Sequence, residues 1–242
     1  MPRIAIVAAL EREVRSLTQG CIPIERDHLG RRYIFFERDD MVVVCGGIGQ
    51  QAARRAAEAV ITLYHPTLVH SVGFAGALDI TLHVGDVVTP AVIIDARDGS
   101  RTEVEGGEGI LVTFMEVASP QQKASLAQAY AAQLVDMEAA AVAAAARAHG
   151  IPFSATKVIS DELNFEMPEM SRFIDAQGRF RTAAFTLFAI LRPWFWSRIA
   201  KLAANSSKAA AALGEHWKSL EYKLNELSEP TTLPADARKW RP

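Results

Sequence analysis

The chain has 242 residues, half of them hydrophobic and 22% charged, with a formal net charge of −2. That suits one large α/β domain, or less readily two small ones, with a substantial core. The charge offers nucleic acid no bulk attraction. Two cysteines, Cys21 and Cys45, make no disulfide framework and read as small core residues.

The opening "MPRIAIVAALEREV" has an apolar run too short for a secretory signal, and no run reaches the length of a membrane span, so a cytoplasmic location is the default expectation. Within it "RIAIVAAL" (3–10) is bounded by charge and predicts a buried strand. "RRYIFFE" (31–37) and "MVVVCGG" (41–47) predict two strands joined by a hairpin-like turn. Apolar residues at helical spacing predict a helix over 49–65, ending before Pro66. "TLVHSVGFAGAL" (67–78) reads as a strand entering a glycine turn, and 84–96 as a further strand with Pro90 at a bulge or edge. Residues 97–109, "RDGSRTEVEGGEG", read as an exposed loop, and "ILVTF" (110–114) as strand. A helix follows over 119–131 with Ser119 as cap and Pro120 in its first turn. "QLVDM" predicts a short strand, "EAAAVAAAARAHG" a helix closed by Gly150, and "PFSATKVISD" (152–161) a strand. Alternating strands and helices imply parallel pairing and a sheet covered on both faces. The last third differs. Several helical stretches are expected over 166–227, including 192–213, and a disordered tail rich in Pro and Thr over 228–242. No internal repeat is visible.

Three apolar strands are followed at once by acids: 3–10 by Glu11 and Glu13, 134–137 by Glu138, and 152–160 by Asp161. Ligands of α/β sheets bind outside the carboxyl ends of strands, so parallel strands would place these acids on one edge. Each alone has a simpler account, the cap of a helix N-terminus, though "ELNFEMPEM" after Asp161 offers no clean helix start to cap. Converging carboxylates can divide acid and base work, and cleavage of a bond to a sugar is a familiar use. The six histidines show no paired spacing for zinc. Magnesium, which needs only one or two carboxylates with a substrate phosphate, stays open.

"GIGQQA" (47–52) fits a dinucleotide-binding fingerprint, but the strand after it, "LVHSVGFAG", lacks the terminal acid such a site uses. No nicotinamide or flavin site is expected, and close helix–sheet packing accounts for Gly47 and Gly49.

Five stretches match a known family in its order: "IAIVAALEREVRSL", "VVVCGGIGQQAARRAA", "VGFAGALDITLHVGDVV", "VDMEAAAVA" and "IPFSATKVISD". The chain resembles the nucleoside phosphorylase and nucleosidase superfamily, in particular its nucleosidases acting on methylthioadenosine and adenosylhomocysteine. The resemblance implies a three-layer α/β/α sandwich around a twisted mixed sheet. It implies an enzyme cleaving the N-glycosidic bond of a purine nucleoside, with 1–165 as the nucleoside-cleaving core and 166–227 as a helical region on or near the site. Glu13 would be the base that activates water. Glu138 would hold the ribose hydroxyls and the developing positive charge, with capping secondary, and Met137 would pack on the sugar. Asp161, with Ser160, would protonate the purine at N7, which requires a dry or anionic setting for Asp161. Phe74 and Gly76 fall in the substrate-binding turn. No metal or redox cofactor is implied; phosphate would be a co-substrate only in a phosphorylase. A homo-oligomer is expected.

Departures bear on the reaction. Phe74 in "GFAGA" stands where many relatives carry Ser, and the first strand lacks the Gly-x-Pro-x-Arg loop with which phosphorylases grip phosphate. Arg12 and Arg15 read as a solvated helix face, so hydrolysis is favoured over phosphorolysis, with a nucleoside-binding protein lacking turnover as the non-enzymatic alternative. No counterpart of the purine-stacking loop is found between Asp86 and Glu138, which leaves the substrate open. The segments "VASPQQKASLAQAYAAQLVDMEAAAVA" and "FIDAQGRFRTAAFTLFAILRPWFWSRIAKLAANSSKAAAAL" look like the hopanoid-biosynthesis-associated branch, thought to remove adenine from an adenosyl-polycyclic lipid. Phe180, Phe185, Phe188, Trp194, Phe195 and Trp196 would then line an apolar channel, with 192–201 a candidate membrane-surface contact; ordinary core packing is the alternative.

Overall fold

The computed structural model describes residues 3–166, 171–175, 177–181, 184–185 and 196–228, with side chains up to 220. Its eleven strands form one mixed sheet. β1 (Ile4–Ala8), β3 (Arg31–Arg38), β4 (Met41–Cys45) and β5 (Leu68–Ala77) lie where their apolar runs predict. Antiparallel β2 (Ile22–His28) pairs with β3 at the sheet's edge. It was not expected, because an edge strand exposed on both faces carries no apolar alternation.

Two further corrections follow from pairing. The run 84–96 is two strands, β6 (Val87–Val88) and β7 (Val92–Asp95), with Pro90 at the break, as its missing N–H would suggest. The expected loop 97–109 contains β8 (Arg101–Glu103), which returns antiparallel on β7. β9 (Ile110–Thr113), β10 (Leu134–Asp136) and β11 (Phe153–Asp161) complete the sheet.

Alternation along the strands feeds two faces. Ala5, Val7, Val42 and Val44 point to α2 (Gln50–Tyr64) and α4 (Ala139–Ala148). Ile6, Ala8 and Val43 point the other way, toward the short α1 (Arg15–Thr18) and the long α5 (Trp196–Ser228). α3 (Pro120–Tyr130) lies opposite α4 across β9: Leu111 faces the α4 cluster and Val112 the α3 cluster. Helices therefore cover both faces, an α/β/α sandwich. The separate helical stretches expected near the C-terminus are, from Trp196, one helix of 33 residues. It docks on the sheet partly by setting Trp217 edge-on to His70. Ser228, where the disordered tail was expected to begin, is the last residue of α5; 229–242 lie outside the described residues.

The decisive feature is β5. One edge carries β11 in parallel from Val69 to Gly76. The other edge is shared. β1 runs parallel beside Leu68–Ser71, whereas β10 runs antiparallel beside Gly76 and Ala77. β10 thus departs from the parallel pairing that alternating strands and helices imply, and the sheet is mixed, as the resemblance implies. β1 and β10 approach each other head-on along β5, and among the described strands none covers Val72–Ala75 between them on that edge. The chain leaving β1 and the chain leaving β10 both turn out at this gap.

Helix–sheet packing does require a glycine, though not Gly47 or Gly49. A Cβ on Gly46 would lie 2.7 Å from the Ala56 Cβ and 2.9 Å from the Ala52 carbonyl oxygen of α2. Gly46 lacks a left-handed φ, so Gly46→Ala acts by overpacking alone. Its expected cost is about 1–3 kcal/mol, measured as a lower denaturant midpoint at unchanged m.

Candidate active site

A cavity of about 140 Å³ opens at the β5 gap. Glu13, Phe74, Gly76, Met137, Glu138, Ser160 and Asp161 all line it. The seven residues singled out from sequence therefore come together, although Glu13 and Asp161 lie far apart in the chain. Glu13, Ser160 and Asp161 are buried; Phe74, Met137 and Glu138 are half-buried.

The capping account fails for all three acids. Glu138 precedes α4 but makes no side-chain cap. The α4 amides are taken by others: Ala139 N–H donates to Asp136 Oδ2 (2.8 Å) and Ala140 N–H to Thr113 Oγ1 (3.0 Å). Asp136 is thus the cap, leaving Glu138 to face the cavity. Nor does Glu13 cap α1, and Asp161 ends β11 without starting a helix.

The glycine stretch resembling a dinucleotide fingerprint directs its amide inward. Gly49 N–H donates to Glu138 Oε1 at 2.7 Å. The positive end of α2 thereby holds a carboxylate of the same chain. Gly47 serves a different contact, since a Cβ there would meet the Gly178 carbonyl oxygen at 2.9 Å. Its positive φ of 101° also suits glycine.

A buried lysine missed in the sequence organises the floor. Lys157, 1% exposed, lies in β11. Its Nζ pairs with Asp136 Oδ2 at 2.9 Å and donates to Ser71 Oγ at 3.1 Å. Asp136 Oδ1 accepts from Thr113 Oγ1 at 2.7 Å. Burial pulls the Lys157 ammonium down, but Asp136, Glu138 and Glu13 together outweigh it and hold the group above its ordinary value. A lysine in the middle of a strand, directly before Val158 and Ile159, was the available signal.

Burial pushes the Glu13 carboxyl up to about 7 against the opposing pull of Lys157 and Arg12. Glu138 is pushed up to about 8 by burial and by Asp136, while Lys157 and the Gly49 amide oppose the rise. A carboxyl near 7 suits a base working at neutral pH. Asp161 differs. Its Oδ1 accepts from Ser160 Oγ at 2.8 Å, and its Oδ2 is ion-paired with the buried ammonium of Lys123. The dry setting expected for Asp161 is present, but its close partner is a cation rather than an anion.

The wall opposite the sheet includes Glu116, Val117 and Ala118, just before α3, together with Leu202 and Ser206 of α5. The segment 116–118 was not identified from sequence, where no loop facing the purine was found. A second, larger cavity of about 870 Å³ adjoins through the shared residues Arg12, Leu202 and Ser206, and is lined in part by Phe180, Phe185 and Ile199. Phe180 and Phe185 also pack with the buried Phe173 at centroid distances of 5.3–6.4 Å. They are wall and core at once. Phe188, Trp194 and Phe195 lie outside the described residues, and Trp196 is exposed. Among the described residues no helix is long and apolar enough to cross a membrane, and no three His, Cys, Asp or Glu are grouped to hold a metal ion.

The raised Glu13 value has a signed consequence for stability. Folded, the group titrates near 7 rather than near 4.5, so the folded chain binds the extra proton between those values. The associated stability is complete below about pH 4.5 and is lost as pH rises through 7. Glu13→Gln is expected to stabilise the fold at pH 8 by up to about 3 kcal/mol. The gain should close toward pH 5 in denaturant titrations at both values.

Comparison with known proteins gives the family. The phosphorylase superfamily matches residues 3–122 and 108–193. The 5′-methylthioadenosine/S-adenosylhomocysteine nucleosidase of Staphylococcus carnosus is 25% identical over 67% of this chain and 88% of that enzyme. The enzyme of the same name from Buchnera aphidicola is 26% identical over 36% of this chain and 39% of its own length. Among solved structures, the futalosine hydrolase of Helicobacter pylori superposes with a TM-score of 0.68 at 18% identity, covering 92% of this chain and 98% of that one. Spanning 3–193 between its two matched segments, the chain belongs to the phosphorylase superfamily.

Proposed function

We propose that the protein is a purine nucleosidase that hydrolyses the N-glycosidic bond of an adenine nucleoside. The observation that carries this reading is the meeting of Glu13, Glu138 and Asp161, each in a different electrostatic setting, on one cavity. The nucleosidases among its relatives support it.

In this reading the ribose lies against Met137 with its hydroxyls on Glu138, and the purine reaches toward Asp161 and Ser160. Adenine leaves poorly as an anion, so a proton delivered to N7 from Asp161 lowers the barrier. As the C1′–N9 bond stretches, the ribose gains positive charge. Glu138, held by the Gly49 amide, favours that state over the ground state in its ionised form, a contribution that grows as pH rises through about 8. Glu13 takes a proton from the water that adds to C1′. Hydrolysis rather than phosphorolysis fits the cations on the cavity wall: Lys123 is engaged with Asp161, and Arg12 is exposed at the rim.

The second cavity suggests what the nucleoside carries. An apolar 5′ substituent as bulky as a polycyclic lipid would have room beyond Leu202, beside Phe180 and Phe185. Membrane contact through 192–201 has narrower support. Residues 192–195 lie outside the described residues, Arg198 pairs with Glu166 at 2.8 Å, and Lys201 sits over Phe165.

Free adenine should appear from adenine nucleosides with and without added phosphate, and faster from those bearing a large apolar 5′ group. Strict phosphate dependence would instead indicate a phosphorylase. Glu13→Gln and Asp161→Asn should each lower kcat by about 10²–10⁴-fold. Binding of a non-cleavable analogue, followed by calorimetry, should change only a few-fold.

A further inference from the structure

Lys123 is a cation that the roles above leave without a task. It is 1% exposed, yet it lines the cavity. It sits on the buried face of α3, three residues before Leu126. The start of α3 is fixed by a complete capping box, in which Ser119 Oγ accepts from Gln122 N–H and Gln122 Oε1 accepts from Ser119 N–H. The following residue, Lys123, is therefore presented from a rigid turn.

Its ammonium is fully directed. Nζ pairs with Asp161 Oδ2, donates to the Glu162 carbonyl at 2.8 Å and lies 3.4 Å from the Asp161 carbonyl. No donor is left to grip a substrate, since an ammonium has three. The fold also makes room for this pair: a Cβ on Gly76 would fall 2.9 Å from Asp161 Oδ2 and 3.1 Å from Lys123 Cε. Other charged groups nearby are turned elsewhere. Glu116 accepts from Gln122 (2.7 Å), and the Glu162 side chain reaches His83 (3.4 Å).

We propose that Lys123 is a positioning and proton-holding residue for Asp161, and that it supplies, through that carboxylate, the proton the leaving base takes. The proposal rests on the nucleosidase reading and goes beyond it. A carboxylate whose two oxygens accept from an ammonium and a hydroxyl has no proton of its own to give; the ammonium has one. Moving that proton from Nζ to Asp161 turns a buried ion pair into a neutral amine and a neutral acid. Net charge is unchanged, and burial opposes charge separation rather than this transfer.

The step balances. The C1′–N9 bond breaks with its electron pair on the base, N7 takes the Asp161 proton, and Asp161 takes the Lys123 proton. Water adds to C1′ and gives its proton to Glu13. The cycle closes when that proton returns through solvent to Lys123.

Arginine separates the two duties, because a guanidinium can hold a carboxylate but does not give up its proton. The test uses the full chain, with adenosine or a 5′-substituted adenine nucleoside beside p-nitrophenyl β-riboside, whose phenolate departs without a proton. Lys123→Met and Lys123→Arg should both lower kcat on the nucleoside by about 10²-fold with little change in KM, and should lose at least about tenfold less on the aryl riboside. Equal losses on both substrates would make Lys123 a structural counter-ion and overturn the proposal. Recovery of the nucleoside rate by Lys123→Arg would do the same, as would failure of these variants and of Lys123→Gln to fold by circular dichroism. Wild-type protein that cleaves neither substrate overturns the nucleosidase reading itself, a result distinct from these.

Discussion

Two of the acids on the cavity, Glu13 and Glu138, owe their place to the shared edge of β5. A strand edge is a row of backbone donors and acceptors that neighbouring strands normally cover throughout. Here β1 covers one end and β10, running the opposite way, covers the other. The interval between them cannot be closed without lengthening one strand into the other. The segments leaving both strands are therefore directed to one place, carrying Glu13 from one side and Glu138 from the other. β11, continuous along the opposite edge, delivers Asp161 beside Gly76.

Gathering carboxylates in a dry place is costly, because each charged form loses its water. The structure offsets this with two lysines used differently. Lys157 is bonded to Asp136 and acts on Glu138 and Glu13 only through space. Those two acids consequently stay raised, within reach of protonation near neutrality. Lys123 instead contacts Asp161 directly. Glu13, proposed to accept a proton, and Asp161, proposed to pass one on, thus differ in their contact with an ammonium: through space for the first, direct for the second.

Much of this was legible in the amino-acid order, for identifiable reasons. α2 and α4 show helical spacing, β1 is an unbroken apolar run, and Ser119–Pro120 is a helix start with its cap in view. β2 has no buried face and so left no pattern. The direction of β10 was equally silent, since three residues carry no sign of which way they pair. Glycine roles shifted by a residue or more because a fingerprint records spacing, whereas the clash that excludes a side chain, at Gly46 against Ala56, depends on a helix approaching from elsewhere in the chain. Both lysines escaped notice because lysine on a helix or strand usually marks a solvated face. Only the three-dimensional neighbourhood shows Lys123 beside Asp161 and Lys157 beside Asp136.

The walls of the two adjoining cavities come from different layers. Sheet-borne acids line the first, while Leu202 and Ser206 of α5 are common to both, and Ile199 and Ala203 extend along the second. The acids of the first cavity and most of the wall of the second thereby belong to different parts of the polypeptide. Substitutions along one face of α5 would reshape the second cavity while leaving the sheet-borne acids of the first in place. Divergence within such a lineage would be expected to concentrate there first.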